Sequence, residues 1–300
     1  MRCKFFMALA LALAALLAQS PARAAAVVWV SSTGSDSNPC HPDSPCATFD
    51  HAIKTTSGAS EVECVTPGTF ATAGLDIASA ITINCPGGVV VGNVSVSISS
   101  GVVILRGIEI QGLGASADGL DFSGGELVLD SVKINGFSGI GLDVQSSGTI
   151  SVTDSQFTGN TDGIVVEPSS GTALVSLSHV DVEHNSLNGI FLGGFAAGES
   201  QVHLTDSVVA NNGGVGISVN GSDVKRQFLT MQRSSSVFNV GDGLTAIGAL
   251  GFVLVGESTI AWNQTGISSS LGGLVFSYRN NQINGNVTDI SGTANTVPLQ

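Results

Sequence analysis

The sequence predicts an all-β solenoid, a fold in which short parallel strands stack turn upon turn. The main observation is a repeat of roughly 25 residues, in which an Asn is followed by Gly-Ile or Gly-Leu three or four positions later. The repeating pairs are Asn135/Gly139, Asn160/Gly163, Asn185/Gly189, Asn212/Gly216, Asn239/Gly243 and Asn263/Gly266. Apolar and polar residues also alternate within each repeat, which is typical of strands with one buried face. A repeat of this length indicates stacked copies of one structural unit.

Residues 1–26 have the pattern of a secretory signal peptide. Arg2 and Lys4 precede an apolar run that ends at Ala18, and small-residue cleavage sites end at Ala24 and Ala26. The apolar run is shorter than the roughly 20 residues that span a membrane, and no other stretch comes close. We therefore expect a cleaved leader, no membrane span, and a protein that is secreted or periplasmic.

Residues 27–59 are expected to form an N-terminal cap with one small helix. Thr48 is a suitable N-cap, and Phe49 and Ala52 lie on one face of the helix that follows. The helix should cover the first turn, because the open end of a solenoid exposes apolar core and unpaired strand edges.

Four cysteines remain after removal of the leader: Cys40, Cys46, Cys64 and Cys85. An even number in an exported chain favours disulfides over a metal site, and no His stands at ligand spacing. The separation of Cys64 and Cys85 along the chain is close to one turn, so stacking should bring them within disulfide distance. The expected pairs are Cys40 with Cys46 and Cys64 with Cys85.

The solenoid is predicted over residues 60–290, with three short strands in each repeat and a tail at 291–300. Pairs of apolar residues ten and eight positions before each Asn should point inward. These pairs are Ile150/Val152, Val175/Leu177, Val202/Leu204, Leu229/Met231, Val253/Val255 and Phe276/Tyr278. The second residue after each repeated Gly should point outward. These residues are Asp121, Gly141, Val165, Phe191, Ser218, Thr245 and Ser268.

The repeating Asn is interpreted as a structural ladder. A turn between strands leaves backbone groups unpaired inside a packed wall, and an Asn amide can satisfy them while also bonding to the next turn. The predicted members are Asn135, Asn160, Asn185, Asn212, Asn239, Asn263 and Asn286.

A column of mostly charged residues is predicted six positions before the Asn, with steps of about 4.8 Å between turns. Its members are Asp154, His179, Asp206, Arg233 and Glu257. One interpretation is a ladder at the edge of a turn, in which a cation between carboxylates makes them tolerable. The other is that Asp154, His179 and Asp206 form a small acid/base or cation site.

The charge of the mature chain limits its partners. Without the leader, seven Lys and Arg remain against 23 Asp and Glu, a net charge near −16. Such a surface repels polyanions, so nucleic acid and anionic lipid are poor candidates. An acid polysaccharide would need bridging cations.

Several segments together resemble the right-handed parallel β-helix superfamily, which has the pectate-lyase-like fold. They are the Asn repeat, the Gly-Ile steps, VTPGTF at 65–70, and the N-terminal WVSSTGSDSNPC and SPCATFDHAI. The chain is most similar to secreted bacterial β-helix-repeat proteins that share this cysteine-containing segment. The resemblance implies a right-handed parallel β-helix over nearly the whole mature chain. It does not select an activity, because the superfamily contains lyases, hydrolases, esterases, epimerases and non-catalytic adhesins.

No catalytic motif stands out. The basic residues stand in no recognisable lyase motif, and the Asp-Asp and Gly-His-Gly signatures of related hydrolases are absent. We expect a non-catalytic carbohydrate-binding or cell-envelope surface protein, whose partner is a polysaccharide or an envelope component. The alternatives are a polysaccharide lyase or glycoside hydrolase, and a purely structural or adhesin-like solenoid. The sequence predicts no metal site and no cofactor; Ca²⁺ is compatible with its composition but has no motif. The oligomeric state stays open.

Overall fold

In the computed structural model of the chain, short parallel strands wind into a right-handed β-solenoid of about nine turns, as predicted. The structure describes residues 26–55, 59–70, 74–114, 117–193, 197–222 and 225–298. The predicted signal peptide, residues 1–26, therefore lies outside the described residues except for Ala26. No helix in these ranges is long and apolar enough to cross a membrane.

Successive turns build three parallel walls. The first wall contains β1 (Ala26–Ser31), β2 (Ala59–Thr66), β5 (Ile81–Val91), β7 (Val102–Gln111), β9 (Gly125–Asp130), β12 (Gly148–Thr153), β15 (Thr172–Ser178), β18 (Glu199–Thr205), β21 (Gln227–Gln232), β24 (Gly251–Gly256), β27 (Leu274–Ser277) and β30 (Ala294–Thr296). The pairings of β1 with β2 and of β30 with β27 extend this wall beyond the predicted limits at residues 60 and 290.

The second and third walls have shorter strands. The second wall contains β3 (Thr69–Phe70), β10 (Lys133–Asn135), β13 (Gln156–Thr158), β16 (Asp181–Glu183), β19 (Val208–Ala210), β22 (Ser235–Val237), β25 (Thr259–Ala261) and β28 (Gln282–Asn284). The third wall contains β4 (Leu75–Ile77), β6 (Val94–Val96), β8 (Leu120–Phe122), β11 (Ile140–Val144), β14 (Asp162–Val166), β17 (Ile190–Gly193), β20 (Ile217–Asn220), β23 (Leu244–Ile247), β26 (Thr265–Ser270) and β29 (Thr288–Ser291). β5 and β7 pass through the corner and pair in both the first and second walls.

The cap helix α1 (Phe49–Thr55) covers the N-terminal end of the core. Thr48 is its N-cap, as predicted, because Thr48 Oγ1 accepts a hydrogen bond from the N–H of His51 at 3.1 Å. Phe49 and Ala52 are fully buried, and the Phe49 ring lies 4.7 Å from the ring of Phe70 on β3.

Two disulfides have the predicted pairing. Cys40 bonds to Cys46 within the cap, and Cys64 on β2 bonds to Cys85 on β5. The two Cα distances are 4.7 and 5.0 Å, within the range that a disulfide bridges. The second disulfide therefore ties together two consecutive strands of the first wall.

Aliphatic side chains from successive turns stack in columns inside the solenoid. Ile150, Val175 and Val202 occupy the same register position on β12, β15 and β18, and each is at most 3% exposed. Burial of one such side chain contributes about 1.5–3 kcal/mol. The period-2 alternation of the sequence thus places one face of every first-wall strand in the core and the other outside.

The Asn ladder lies at the corner between the second and third walls. From Asn160 to Asn286, each side-chain Oδ1 accepts a hydrogen bond from the backbone N–H one turn earlier, at 2.9–3.1 Å. The residue before each ladder Asn has a positive φ, between 55° and 58° at His184, Asn211, Phe238 and Trp262. This left-handed residue turns the chain, and the amide satisfies backbone groups that the turn leaves unpaired.

Asn135 is not part of the Asn ladder, contrary to the prediction. It lies opposite Thr158, and its Nδ2 donates to Glu109 Oε1 at 2.8 Å. The ladder position in this turn belongs to Phe137, whose N–H donates to Asn160 Oδ1. The turn is therefore shifted by two residues from the predicted register.

The same shift changes the third-wall strand of this turn. Leu142, rather than the isoleucine before it, pairs with Ile164. The sequence GIGL at 139–142 contains two Gly-aliphatic steps, and the structure uses the second. The outward residue is consequently Asp143 rather than Gly141.

The predicted inward pair of the last turn, Phe276 and Tyr278, is wrong by one residue. Val275 pairs with Val253 and is fully buried, whereas Phe276 pairs with Leu254. A one-residue shift exchanges the two faces of a strand. Phe276 therefore lies on the outer face of the first wall.

Replacement of a ladder amide should cost far more stability than replacement of Asn135. Asn212 is fully buried, and its Oδ1 and Nδ2 bond to Asn185 N and Val182 O. Asn212→Ala leaves both groups unsatisfied and should lower the free energy of unfolding by about 2–4 kcal/mol. Asn135→Ala should lower it by less than about 1 kcal/mol. Chemical denaturation of both variants checks this, and equal losses would contradict the two-residue shift.

Candidate functional site

The outer face of the first wall carries an open groove of about 470 Å³ across β12, β15, β18 and β21. The outward residues that line this outer groove are Thr149, Ser151, Leu174, Ser176, Gln201, His203, Phe228 and Thr230.

Two apolar side chains form the floor of the outer groove. Leu174 is 46% exposed, and Phe228 is half-buried. Phe228 pairs in register with Phe252, and Leu254 pairs with Phe276 on the next two strands. The groove therefore continues towards the C-terminus as a half-buried strip rich in aromatic residues.

Polar side chains stand beside this floor. The hydroxyls of Ser151, Ser176 and Thr230 share one register column with the imidazole of His203. His203 Nδ1 is hydrogen-bonded to Thr230 Oγ1. The arrangement offers hydrogen-bond donors and acceptors next to apolar surface.

An ion pair lies at one edge of the groove. Arg226 Nη2 donates to Glu199 Oε1 at 2.8 Å, and the Arg226 guanidinium lies 5.8 Å from the centre of the Phe228 ring. The hydrogen bond from Arg226 lowers the pKa of Glu199, and a second one from Gln201 acts in the same direction. Glu199 is therefore held as a carboxylate by its neighbours.

A second exposed aromatic group lies at the corner of the Asn ladder. Phe238 and Trp262 are 52% and 56% exposed, and their rings stack 4.8 Å apart at an angle of 6°. The indole of Trp262 also lies against Gly285, where an added Cβ would come within 3.1 Å of its Nε1. The stacking covers one ring face of each residue, and both side chains stay about half exposed.

The five residues of the charged column lie at equivalent corners of successive turns. Asp154, His179, Asp206, Arg233 and Glu257 all have positive φ, between 47° and 54°, at the turn from the first to the second wall. The N–H groups of the first four donate to a backbone carbonyl one turn later, as Asp154 N does to Ser178 O and Asp206 N to Gln232 O, whereas Glu257 N donates to Asn280 Oδ1. Buried serines follow all of these residues except His179, which is followed by Val180, and they form a second polar ladder, in which Ser207 N donates to Ser234 Oγ at 3.1 Å.

Within the charged column, the pairing is between Asp206 and Arg233. Arg233 Nε and Nη2 donate to the two oxygens of Asp206 at 2.8 and 2.9 Å. These hydrogen bonds lower the pKa of Asp206 to about 2. His179 Nδ1 lies 3.0 Å from Ser178 Oγ. The Arg233 guanidinium is a cation beside the Asp206 carboxylate; the ladder interpretation and the site formed by Asp154, His179 and Asp206 both stay hypotheses.

Two groups of three potential metal ligands occur among the residues the structure describes. Cys40, Cys46 and His51 form the first, but the cysteine sulfurs are bonded to each other and are not free ligands. Asp118, Asp121 and Asp143 form the second, which we call the acid cluster. Asp121 and Asp143 are register neighbours on β8 and β11 of the third wall.

Two buried oxygens of the acid cluster have no hydrogen-bond partner. Asp143 is 4% exposed, yet its Oδ1 has no hydrogen-bond partner, and the same holds for the buried Oδ1 of Asp121. Burial raises the pKa of the Asp143 carboxyl to about 6, which the hydrogen bond from Gln145 opposes in part. The shift corresponds to about 3 kcal/mol of unfavourable free energy in the charged form. Burial also raises the pKa of Asp121.

The repeat and the three stacked walls agree with a family comparison. The model of a family described as "Right handed beta helix region" matches residues 79–260. The chain belongs to the right-handed β-helix family. A search of curated protein sequences found no match.

Three solved structures share the fold of this right-handed β-helix protein. Pectate lyase Pel9A has 18% identity and a TM-score of 0.52, over 91% of this chain and 77% of its own. A rhamnogalacturonan lyase has 14% identity and a TM-score of 0.62, over 85% and 76%. The A-module of the Azotobacter vinelandii mannuronan C-5 epimerase AlgE4 has 13% identity and a TM-score of 0.55, over 92% and 90%. At these identities the likeness shows the fold alone.

Sequence reasoning missed both the outer groove and the acid cluster of this β-helix protein. Asp143 was hidden because the predicted register put Gly141 in its column. The groove residues belong to no motif and come together only when four turns stack. Counting outward positions along the first-wall strands would have found Leu174 and Phe228 two turns apart in one column.

Asp143→Asn should stabilise the protein at neutral pH when a chelator is present. The raised pKa of Asp143 means that the folded state binds a proton more tightly than the unfolded state. The protonated Asp143 carboxyl therefore contributes to stability below about pH 4, and this contribution is lost as the pH rises towards 6. The free energy of unfolding of the variant should exceed that of the wild type by about 3 kcal/mol at pH 7, and the difference should vanish near pH 4. Denaturant titrations across this range test it, and a difference independent of pH would contradict it.

Proposed function

We propose that the protein binds a neutral polysaccharide along the outer groove of the first wall. The observation that supports this most is the combination of an apolar floor, Leu174 and Phe228, with hydroxyl, amide and imidazole groups beside it. Sugar rings have apolar faces that pack on aromatic and aliphatic side chains, and hydroxyl edges that need donors and acceptors.

The shape of the groove suits a chain rather than a single sugar. It crosses four strands, so it runs along the solenoid axis for about 14 Å at about 4.8 Å per strand. The strip that continues through Phe252 and Phe276 offers further apolar surface in the same direction. A polymer lying along the axis would contact the same register columns on successive turns.

The charge distribution favours a neutral ligand over a polyanion. The net charge is −13 for the full chain. Arg226 is the cation beside Phe228, and it is already paired with Glu199 at 2.8 Å. An acidic polysaccharide would therefore be repelled by the net negative charge of the chain.

The groove chemistry favours binding over turnover. Glycoside hydrolysis commonly uses two carboxylates on either side of the scissile bond. The described side chains that line the groove include His203 as a titratable group and no carboxylate. The fold is related to that of polysaccharide lyases, but one fold supports many functions; a lyase or hydrolase, or a purely structural solenoid, remains the competing hypothesis.

We also propose that the protein is exported. Its two disulfides are typical of oxidising compartments, and residues 1–26 carry the signal-peptide pattern. N-terminal sequencing of protein from the periplasm or medium should start at Ala25 or Val27.

Phe228→Ala should weaken binding of a neutral polysaccharide about tenfold, because it removes the aromatic part of the floor. The matched control is Phe238→Ala, which removes an exposed phenylalanine from another surface and should leave affinity unchanged. A glycan array followed by calorimetry on the mature protein measures both.

The same assays separate the competing functions. Unsaturated products or new reducing ends would establish a lyase or hydrolase in place of a binding protein. Equal losses of affinity in Phe228→Ala and Phe238→Ala would contradict binding in the proposed groove. Tighter binding of polyuronates than of neutral chains would contradict it as well. Absence of all binding would favour a structural role.

A further inference from the structure

We propose that Asp118, Asp121 and Asp143 bind Ca²⁺ and thereby link two turns of the third wall. One potential ligand oxygen from each carboxylate lies within 4.8 Å of the other two. Ca²⁺ holds oxygen ligands at about 2.3–2.6 Å, so oxygens on one coordination sphere lie at most about 5 Å apart. The three carboxylates already meet this condition.

Each carboxylate of the acid cluster is oriented by a neighbouring donor. Gln145 Nε2 donates to Asp143 Oδ2 at 2.7 Å, and Asn93 Nδ2 donates to Asp121 Oδ2 at 3.0 Å. Asp118 Oδ1 accepts the backbone N–H of Ile140 at 2.6 Å. Metal-binding carboxylates are commonly fixed in this way by a second set of hydrogen bonds.

The remaining oxygens are the second, independent indication of a ligand. Asp121 Oδ1 and Asp143 Oδ1 are both buried and have no hydrogen-bond partner. A buried oxygen of this kind loses its water without replacement, which is strongly unfavourable for an anion. A bound cation would supply the missing partner to both oxygens at once.

The electrostatic surroundings of Asp143 are also those of a cation site. The neighbouring charges that act on it come from the carboxylates Asp118, Glu167 and Asp121. Close like charges raise the free energy of the ionised cluster. A divalent cation would offset this repulsion.

The chemistry of the ligands favours Ca²⁺ among divalent cations. All three are hard oxygen donors, which disfavours metals that prefer nitrogen or sulfur. They come from two strands and one turn, and Ca²⁺ tolerates flexible, irregular ligand geometry better than Mg²⁺ does.

The position of the acid cluster suggests what the cation does. The Asn ladder begins at Asn160, and the turn before it has Phe137 at the ladder position. Asp121 and Asp143 join β8 to β11 in these same early turns. A cation there would add a link between turns where the ladder amide is missing, on a wall separate from the outer groove.

The test uses the mature chain with both disulfides intact, purified in chelator and then titrated with CaCl₂ or MgCl₂. Thermal unfolding should shift upward by about 5 °C or more when Ca²⁺ exceeds its Kd a hundredfold. Calorimetry should give one Ca²⁺ per chain. Mg²⁺ should produce a smaller shift.

Asp143→Asn should abolish the Ca²⁺-dependent shift and the stoichiometric heat, although in chelator the variant is expected to fold. Asp121→Asn is a second variant with the same expected loss. The matched control is Asp181→Asn, which neutralises a half-buried aspartate on β16 outside the cluster and should keep both signals.

Absence of stoichiometric Ca²⁺ binding by the wild type would overturn the proposal. So would an undiminished shift in both Asp143→Asn and Asp121→Asn. A larger shift with Mg²⁺ than with Ca²⁺ would overturn the assignment to Ca²⁺. None of these results depends on polysaccharide binding, so they are separate from the test of the outer groove.

Discussion

The fold depends on a repeated corner, in which a single residue with positive φ turns the chain and a buried polar side chain satisfies the backbone of the neighbouring turn. At one corner that side chain is the ladder Asn, whose Oδ1 accepts an N–H from the preceding turn at 3.0–3.1 Å in the central turns. At the other it is a serine that follows the charged column. Left-handed conformations cost non-glycine residues about 1–2 kcal/mol each, so the hydrogen bonds and the stacked aliphatic core must offset this repeatedly.

Because these corners fix the register between turns, they also decide which side chains share an outer column. The outer groove exists because Leu174, Gln201 and Phe228 occupy one register position on successive strands. The acid cluster exists because Asp121 and Asp143 do the same on the third wall. Outward residues contribute little to the core, so their chemistry can change without loss of the fold.

The sequence was sufficient for the fold class and for features that repeat. The ladder from Asn160 onward, the N-cap at Thr48 and the disulfide between Cys64 and Cys85 follow from periodicity, from capping chemistry or from a spacing close to one turn. The sequence-based prediction failed in a turn where two start positions for the third-wall strand fit the repeat almost equally well. The segment 139–142 can begin its strand at either of two glycines, and only pairing with the next turn selects the second.

The ambiguity at residues 139–142 hid the acid cluster, because it concealed the position of Asp143. A register error of one or two residues changes which residues are assigned to the outer face. The structure places Phe276 on the outer face and puts Asp143 in the column where Gly141 was predicted. The outer groove could not be predicted from any one repeat. Its apolar floor and its polar side chains are each contributed by more than one turn.

The most direct measurement is hydroxyl-radical footprinting of the mature protein with and without the polysaccharide that it binds. Our account predicts that Leu174, His203 and Phe228 become protected from oxidation, while the exposed Phe238 and Trp262 keep their reactivity. Protection of Phe238 and Trp262, with Leu174 and Phe228 unchanged, would contradict it, because the ligand would then lie on the Asn-ladder corner instead of the first wall.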